Sequence, residues 1–165
     1  MQSEYKTSRL TLNTLTQNDH QFISELVNSP EWLKFISSGK TKSNEQVTEY
    51  IERANNTPMC TYWAVRLNDS ETPIGVISFK KRGDLEYYDF GFAFLARYGK
   101  NGYAFEAGEL ILNEIVSSKN HKNVLAITIP ENMNSIRLLE KLGFSYKEES
   151  VKNDEKILVY SYIIS

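Results

Sequence analysis

Cysteine occurs once in the 165 residues, at Cys60, so neither an internal disulfide nor a thiolate-built four-ligand zinc site can form. The two histidines, His20 and His121, lie far apart in sequence and without ligand spacing. Metal chemistry is therefore not expected, and a reducing compartment is; the cytoplasm is the expected location. A charge excess of either sign is also missing. Lys and Arg number 19 against 21 Asp and Glu, a formal net charge of -2, which leaves no global positive field to hold nucleic acid or an anionic membrane. Any anionic ligand has to be bound by local geometry. No apolar run approaches the ~20 residues of a membrane span, and the opening MQSEYKTSRLTLNTL has no signal-peptide core. With only 8 Gly and 4 Pro, the chain is neither collagen-like nor low-complexity. The nucleotide-binding patterns G-x-x-x-x-G-K-[ST] and G-x-G-x-x-G are absent.

The residues present, 41% hydrophobic and 24% charged, suit one globular domain over 1–165. Arg9–Leu15 alternates as a strand until Leu15 slips the register by one. Phe22, Ile23, Leu26 and Val27 repeat at helical spacing. Ser43 with Gln46 forms a capping-box signal ahead of Val47, Tyr50, Ile51 and Ala54. Strands follow at Thr61–Leu67, Pro73–Lys80 and Glu86–Leu95, the first two joined by a polar turn. A helix is expected from Tyr103 to about Ser118, a buried strand at Val124–Ile129, a helix at Asn132–Leu142, and a closing antiparallel pair at Phe144–Glu149 and Lys156–Ile164. The fold class is α/β (α+β): one mixed, mostly antiparallel sheet flanked by helices.

Two segments carry chemistry. In YYDFGFAFL the aromatics Tyr88, Phe90, Phe92 and Phe94 share one face, which leaves Asp89, Gly91, Ala93 and Leu95 on the other, a face with room for a ligand. After it comes Arg97-Tyr98-Gly99-Lys100-Asn101-Gly102-Tyr103-Ala104. Its two glycines permit a tight turn, and the helix that follows points unpaired N–H groups and its positive dipole end at the same spot, where a phosphate would be stabilised.

The run G-K-N-G-Y-A-F-E-A, Gly99 to Ala107, resembles the pyrophosphate-binding motif of the GNAT family of acyl-CoA N-acyltransferases. Asn132-M-N-Ser135-I-R-L-L-E-Lys141-L-Gly143-Phe144 resembles a later block of that family, and the two stand in the family's order. The opening Arg9-L-T-L-N-T-L-T-Q-N-Asp19 and the hairpin around Ile74-Gly75 look like the branch that acetylates N-terminal amines of ribosomal proteins. The resemblance covers nearly the whole chain. It implies a GNAT-like domain in which acetyl-CoA is the co-substrate and a primary amine the acceptor. Backbone groups near Leu95 and Arg97 would pair with the pantetheine arm. Gly99, Lys100, Asn101, Gly102, Tyr103 and Ala104 would cradle the pyrophosphate, and Asn132 would approach the pantetheine or thioester beside Ser135. Two departures stand out. Gly99 occupies a position commonly Gln or Arg, so Arg97 or Lys100 has to supply the charge. Leu139 occupies the position of a frequent tyrosine acid, which leaves Ser135 to stabilise the leaving thiolate.

Amide formation also needs a neutral amine. At pH 7, neutralising an α-amino group of pKa ~7.8 costs about 1 kcal/mol, and a lysine of pKa ~10.4 about 4.6 kcal/mol, so an N-terminal or similarly weakly basic amine is the easier acceptor. Asp89 matches an acidic position of the family and is the candidate base, with Trp32 and Trp63 as candidate linings of the amine pocket. Each of these residues also has a plainer reading. Asp89 fits a solvent-facing position on an open sheet, Asn132 and Ser135 fit helix-start residues that satisfy backbone donors, and the tryptophans fit packing. Lys80-Lys81-Arg82 reads as a solvated turn rather than a substrate patch. The competing functions are a non-catalytic acyl-CoA-binding or interaction module, and an acetyltransferase of a small amine such as a polyamine, amino acid or antibiotic. The oligomeric state is left open, a homodimer included.

Overall fold

A computed structural model describes residues 1–165 and centres on one continuous eight-stranded sheet. The strands are β1 (Glu4–Lys6), β2 (Leu10–Thr14), β3 (Cys60–Leu67), β4 (Pro73–Lys80), β5 (Tyr88–Phe94), β6 (Asn123–Thr128), β7 (Ser145–Lys152) and β8 (Glu155–Ile163). The helices are α1 (His20–Val27), α2 (Pro30–Phe35), α3 (Asn44–Asn56), α4 (Tyr103–Ser117) and α5 (Met133–Lys141). Spatial order is β1-β2-β3-β4-β5-β6-β8-β7, and every neighbour is antiparallel except β5 with β6. The mixed, mostly antiparallel α/β architecture expected from the sequence is the one formed. No helix is long and apolar enough to cross a membrane.

Alternation along the strands builds two cores on opposite faces. Trp63, Val65 and Ile77 join α4 residues Ala107, Ile111 and Ile115 in a core of 20 buried residues. Their strand neighbours Ala64 and Val76 join α1, α2 and α3 in a core of 12. This division explains the slip at Leu15. Leu10 and Leu12 enter the larger core, whereas Leu15, one step beyond β2, enters the smaller. The capping box expected at Ser43 is formed, with Ser43 accepting from Gln46 N–H at 3.2 Å and Gln46 accepting from Ser43 N–H at 2.8 Å.

Two elements add to the sequence reading. The three residues of β1 pair through Tyr5 opposite Leu12, too short a strand to show a period. Helix α2 starts at Pro30 behind Ser29, whose hydroxyl accepts from Trp32 N–H. Proline at the first helical position and serine before it are the signals that mark it.

One irregularity positions the site. β5 and β6 pair only at Tyr88 opposite Val124 and Asp89 opposite Leu125. Beyond that point β6 stays paired with β8 along its whole length, Asn123 opposite Ile163 through Thr128 opposite Leu158, while β5 keeps only its bonds to β4. The two parallel strands therefore part, and a wedge opens in the middle of the sheet.

Candidate active site

Three parts meet along this wedge: an unpaired strand edge, a glycine turn at the start of α4, and a cavity at the closed end. The edge belongs to β5. In an antiparallel ladder, backbone groups of alternate residues face away from the partner strand, so alternate residues of Phe90–Phe94 turn N–H and C=O groups toward β6, where no strand meets them. An extended ligand chain carrying amides can complete that ladder. Leu95 is already engaged within the chain. Its N–H donates to Ile74 O at 2.9 Å, its carbonyl accepts from Tyr98 N–H at 3.0 Å, and its side chain is buried in the smaller core. The chain has already turned into a short 3-10 segment, Ala96–Tyr98, so the pairing edge ends before it.

The turn from Gly99 to Gly102 delivers the chain into α4. Gly102 precedes the helix at φ 79, in the left-handed region that glycine enters without steric cost, and Lys100 is held in the same region at φ 61. No side chain caps α4, so the N–H groups of its first turn, at Tyr103 and Ala104, have no partner within the helix. Gly99, Lys100, Asn101 and Gly102 are exposed, and the Lys100 ammonium makes no ion pair. Arg97, the other expected cation, instead pairs with Glu25 on α1, which keeps its guanidinium charged and largely offsets its field. Asn101 Nδ2 donates back to Gly99 O at 3.1 Å and shapes the turn from within.

Sequence reasoning missed the residue that braces this turn. Arg9 Nη1 donates to Asn101 O at 2.9 Å, its Nε and Nη2 reach Glu106 Oε2 at 2.7 and 2.6 Å, and its guanidinium lies 4.5 Å from the centre of the Tyr103 ring. A carboxylate in the first turn would repel a phosphate, and Arg9 neutralises it. Burial pulls the Glu106 carboxyl upward, but hydrogen bonds from Thr7 and Arg9 overcome it and hold the group below its ordinary range. Lys141 at the end of α5 sits 4.4 Å from the ring of Phe105, in the first turn of α4.

The cavity at the closed end has a volume of about 140 Å³. Asp89 and Ser135 both line it, although 46 positions separate them in sequence. Asp89 is the only carboxylate there. It is 5% exposed and accepts from Arg82 Nε at 2.6 Å, so it is not the solvent-facing residue of the plainer reading. Ser135 stands in the first turn of α5. Its N–H donates to Asn132 Oδ1 at 3.3 Å, and its hydroxyl makes no hydrogen bond within the chain. Asn132 is thus a helix cap, the plainer of its two readings, and its side-chain oxygen is taken. Leu139, at the expected tyrosine position, is buried and lines the cavity beside Ser135.

The tryptophans separate. Trp32 lines the cavity, in edge contact with Tyr50 at 6.0 Å, and Tyr50 in turn meets Tyr62 at 6.0 Å. Trp63 does not. It is fully buried in the α4-side core, edge-on to Tyr5, with its Nε1 donating to Gln2 O at 3.2 Å. The period of two is the reason: on β3 the cavity wall is Tyr62, one residue away. Burial, reinforced by Tyr62, pushes the Tyr50 phenol above its ordinary value, so it remains a neutral hydroxyl.

The basic triplet also departs from expectation. Lys81 is spent on a turn, donating to Glu86 O at 2.8 Å, but Lys80 and Arg82 line the cavity, and Lys80 Nζ donates to Tyr62 Oη at 2.9 Å. Val76, Ser78 and Lys80 share one face of β4, a signal present in the alternation of the sequence. Gly91 keeps that face open, since a Cβ there would come within 2.6 Å of Ser78 Oγ.

This arrangement can hold an extended amide-bearing chain between an anion cradle and a small, mostly apolar chamber that carries three charged side chains. Comparison with known proteins agrees. The chain is 28% identical over 137 residues to the uncharacterised N-acetyltransferase YnaD of Bacillus subtilis, covering 83% of this chain and 79% of that protein. It is 26% identical to the uncharacterised N-acetyltransferase YjdG of the same organism, over 93% and 96%. A GNAT-family acetyltransferase from Bacillus anthracis shares its fold at a TM-score of 0.84 and 22% identity, covering 97% of this chain and 98% of that one. Spermidine N-acetyltransferase from Vibrio cholerae, solved with CoA and spermine, aligns at 0.79 and 16%, over 96% and 97%. The acetyltransferase (GNAT) domain matches residues 9–145, from the arginine that braces the turn to the start of β7, and the chain belongs to that family of acetyltransferases.

Proposed function

We propose that the protein transfers the acetyl group of acetyl-CoA directly to a primary amine, without a covalent enzyme intermediate, and that a weakly basic α-amino group is its preferred acceptor. The observation that carries this reading is the continuity of the wedge. The free edge of β5 links the uncapped start of α4 to the chamber that Asp89 and Ser135 both line. Residues of the chain fit the cofactor part by part. Exposed N–H groups and Lys100 suit the pyrophosphate, and Phe90–Phe94 suits the amides of the pantetheine arm. When bound, acetyl-CoA supplies the activated acyl group.

The amine nitrogen forms a bond to the acyl carbon, the carbon–sulfur bond breaks, and the proton lost by nitrogen passes to Asp89, directly or through a water. Asp89 serves as base because it alone among the chamber's side chains is a carboxylate. The hydroxyl of Ser135, free of internal partners, donates to the departing sulfur. A free thiol has a pKa of ~8.5, so a hydrogen bond suffices where a strong acid is missing at Leu139. The lone, half-buried Cys60, whose thiol burial pushes up against the pull of Lys80 and Arg82, takes no part and suits a reducing compartment, the cytoplasm.

Among known structures, a ribosomal-protein-S5-alanine acetyltransferase from Vibrio fischeri shares the fold at a TM-score of 0.77 and 16% identity, which supports a protein N-terminus as one acceptor to test. Incubation with acetyl-CoA and a panel of amines, following free thiol, should show acceptor-dependent CoA release. Asp89→Asn should lower turnover about 10²-fold or more while leaving acetyl-CoA affinity within about threefold. Absence of CoA binding in calorimetry rejects the reading, and unchanged turnover across pH in Asp89→Asn rejects the base.

A further inference from the structure

The chamber that receives the acceptor holds more positive charge than its own carboxylate can neutralise. Three charged side chains line it, Lys80, Arg82 and Asp89. Asp89 accepts from Nε of Arg82, which leaves both terminal nitrogens of that guanidinium without a partner in the chain. Lys80 makes no ion pair, and its only partner is Tyr62, through the hydroxyl and the ring. These two underused cations mark a place for an acceptor atom that the chain does not supply.

Phosphates of CoA do not account for these groups. Their cradle lies beyond the far end of β5, and five strand steps from Asp89 to Phe94 already span about 17 Å at ~3.3 Å per residue. The cations are at the amine end. They also argue against a polyamine, whose remaining ammonium groups would meet Lys80 and Arg82 rather than a row of carboxylates. Lys80 and Asp89 are register partners across β4 and β5, so a group held by Lys80 and a nitrogen facing Asp89 lie only a few bonds apart.

Building on the acetyl-transfer reading, we infer that the acceptor is an amine that carries a carboxylate within a few bonds of its nitrogen, and that Lys80 and the free fork of Arg82 recognise that carboxylate. A planar guanidinium end and an ammonium are the donors that match two carboxylate oxygens.

The test uses the wild-type protein with acetyl-CoA and matched acceptors that differ only in this charge: free amino acids against their carboxamides, peptides beginning with Asp against the same peptides beginning with Asn, and spermidine. Rates are compared as kcat/KM corrected to each acceptor's neutral-amine fraction. The inference expects the carboxylate member of at least one pair to be favoured at least about tenfold, and the pair that shows it tells whether the carboxylate belongs to a free amino acid or to a peptide side chain. Lys80→Gln should reduce that ratio below about threefold. Equal or faster transfer to the carboxamides, to Asn peptides or to spermidine overturns the inference while leaving the acetyltransferase reading intact. Failure of every amine to release CoA overturns both.

Discussion

Asp89 and Trp63 divide according to which side of the sheet each residue faces. Alternation in YYDFGFAFL placed Asp89 opposite the aromatics, and it lines the chamber. The same alternation on β3 turns Trp63 away, into the α4-side core, and gives its place to Tyr62. A tryptophan looks like a pocket lining from its type alone; only its parity decides. Gly75 shows a related close fit. It lies opposite Phe94, and a Cβ there would come within 2.3 Å of the Phe94 ring, an aromatic plate that cannot simply rotate aside. Overpacking of this kind costs ~1–3 kcal/mol. Gly75→Ala should therefore lower the melting temperature by about 2–4 °C for each kcal/mol lost, read in a thermal denaturation scan.

At the scale of elements, the turn before α4 is a composite that one segment cannot build. Gly99 to Ala104 was recognisable from its glycines and the helix that follows, because a turn of this kind depends on residues adjacent in sequence. Its brace comes from the other end of the chain. Arg9, just ahead of β2, reaches Asn101 and Glu106 because β2 and α4 pack against the same core, a juxtaposition that spacing along the chain does not encode. Arg9→Ala removes the bond to Asn101 and leaves the Glu106 carboxylate unneutralised beside the phosphate cradle. Acetyl-CoA affinity should fall about tenfold, equivalent to ~1.4 kcal/mol, in calorimetry, with a smaller change in kcat at saturation. An unchanged affinity would show that the turn holds its shape without the brace. The missed elements β1 and α2 belong to the same lesson. A three-residue strand exists only because β2 offers it an edge, and a six-residue helix only because Trp32 finds a core to enter.

Across the whole molecule, His121 and Glu106 each make stability follow pH. His121 stacks edge-on against Phe79 at 5.1 Å and Tyr88 at 4.8 Å, and burial holds its imidazole below the ordinary 6.5. As pH falls through about 6.5, the unfolded chain takes up this proton before the folded one, and stability declines. Glu106, also held low, contributes stability that is complete above its ordinary value of about 4.5 and is lost as pH falls below it. Urea midpoints should be flat near neutrality, decline below about pH 6.5 and decline again below about 4.5. His121→Phe should remove the first decline and leave the second. A single decline confined to pH below 4.5 in the unaltered protein would contradict the role of His121.

The sequence by itself determined the absence of an internal disulfide, the alternation that makes the strands, the caps that start the helices, and the two blocks that carry the resemblance to GNAT acyltransferases. All of these depend on residues that are neighbours or on counts, and so survive without coordinates. Tertiary structure alone decided where β5 parts from β6, that Arg9 braces the turn, and that Lys80 and Arg82 line the chamber. A net charge of -2 is a sum over the chain, whereas the positive chamber is a matter of which few of those charges share one enclosed space. Electrostatic recognition depends on distance and burial, and both are set by packing between segments far apart in sequence.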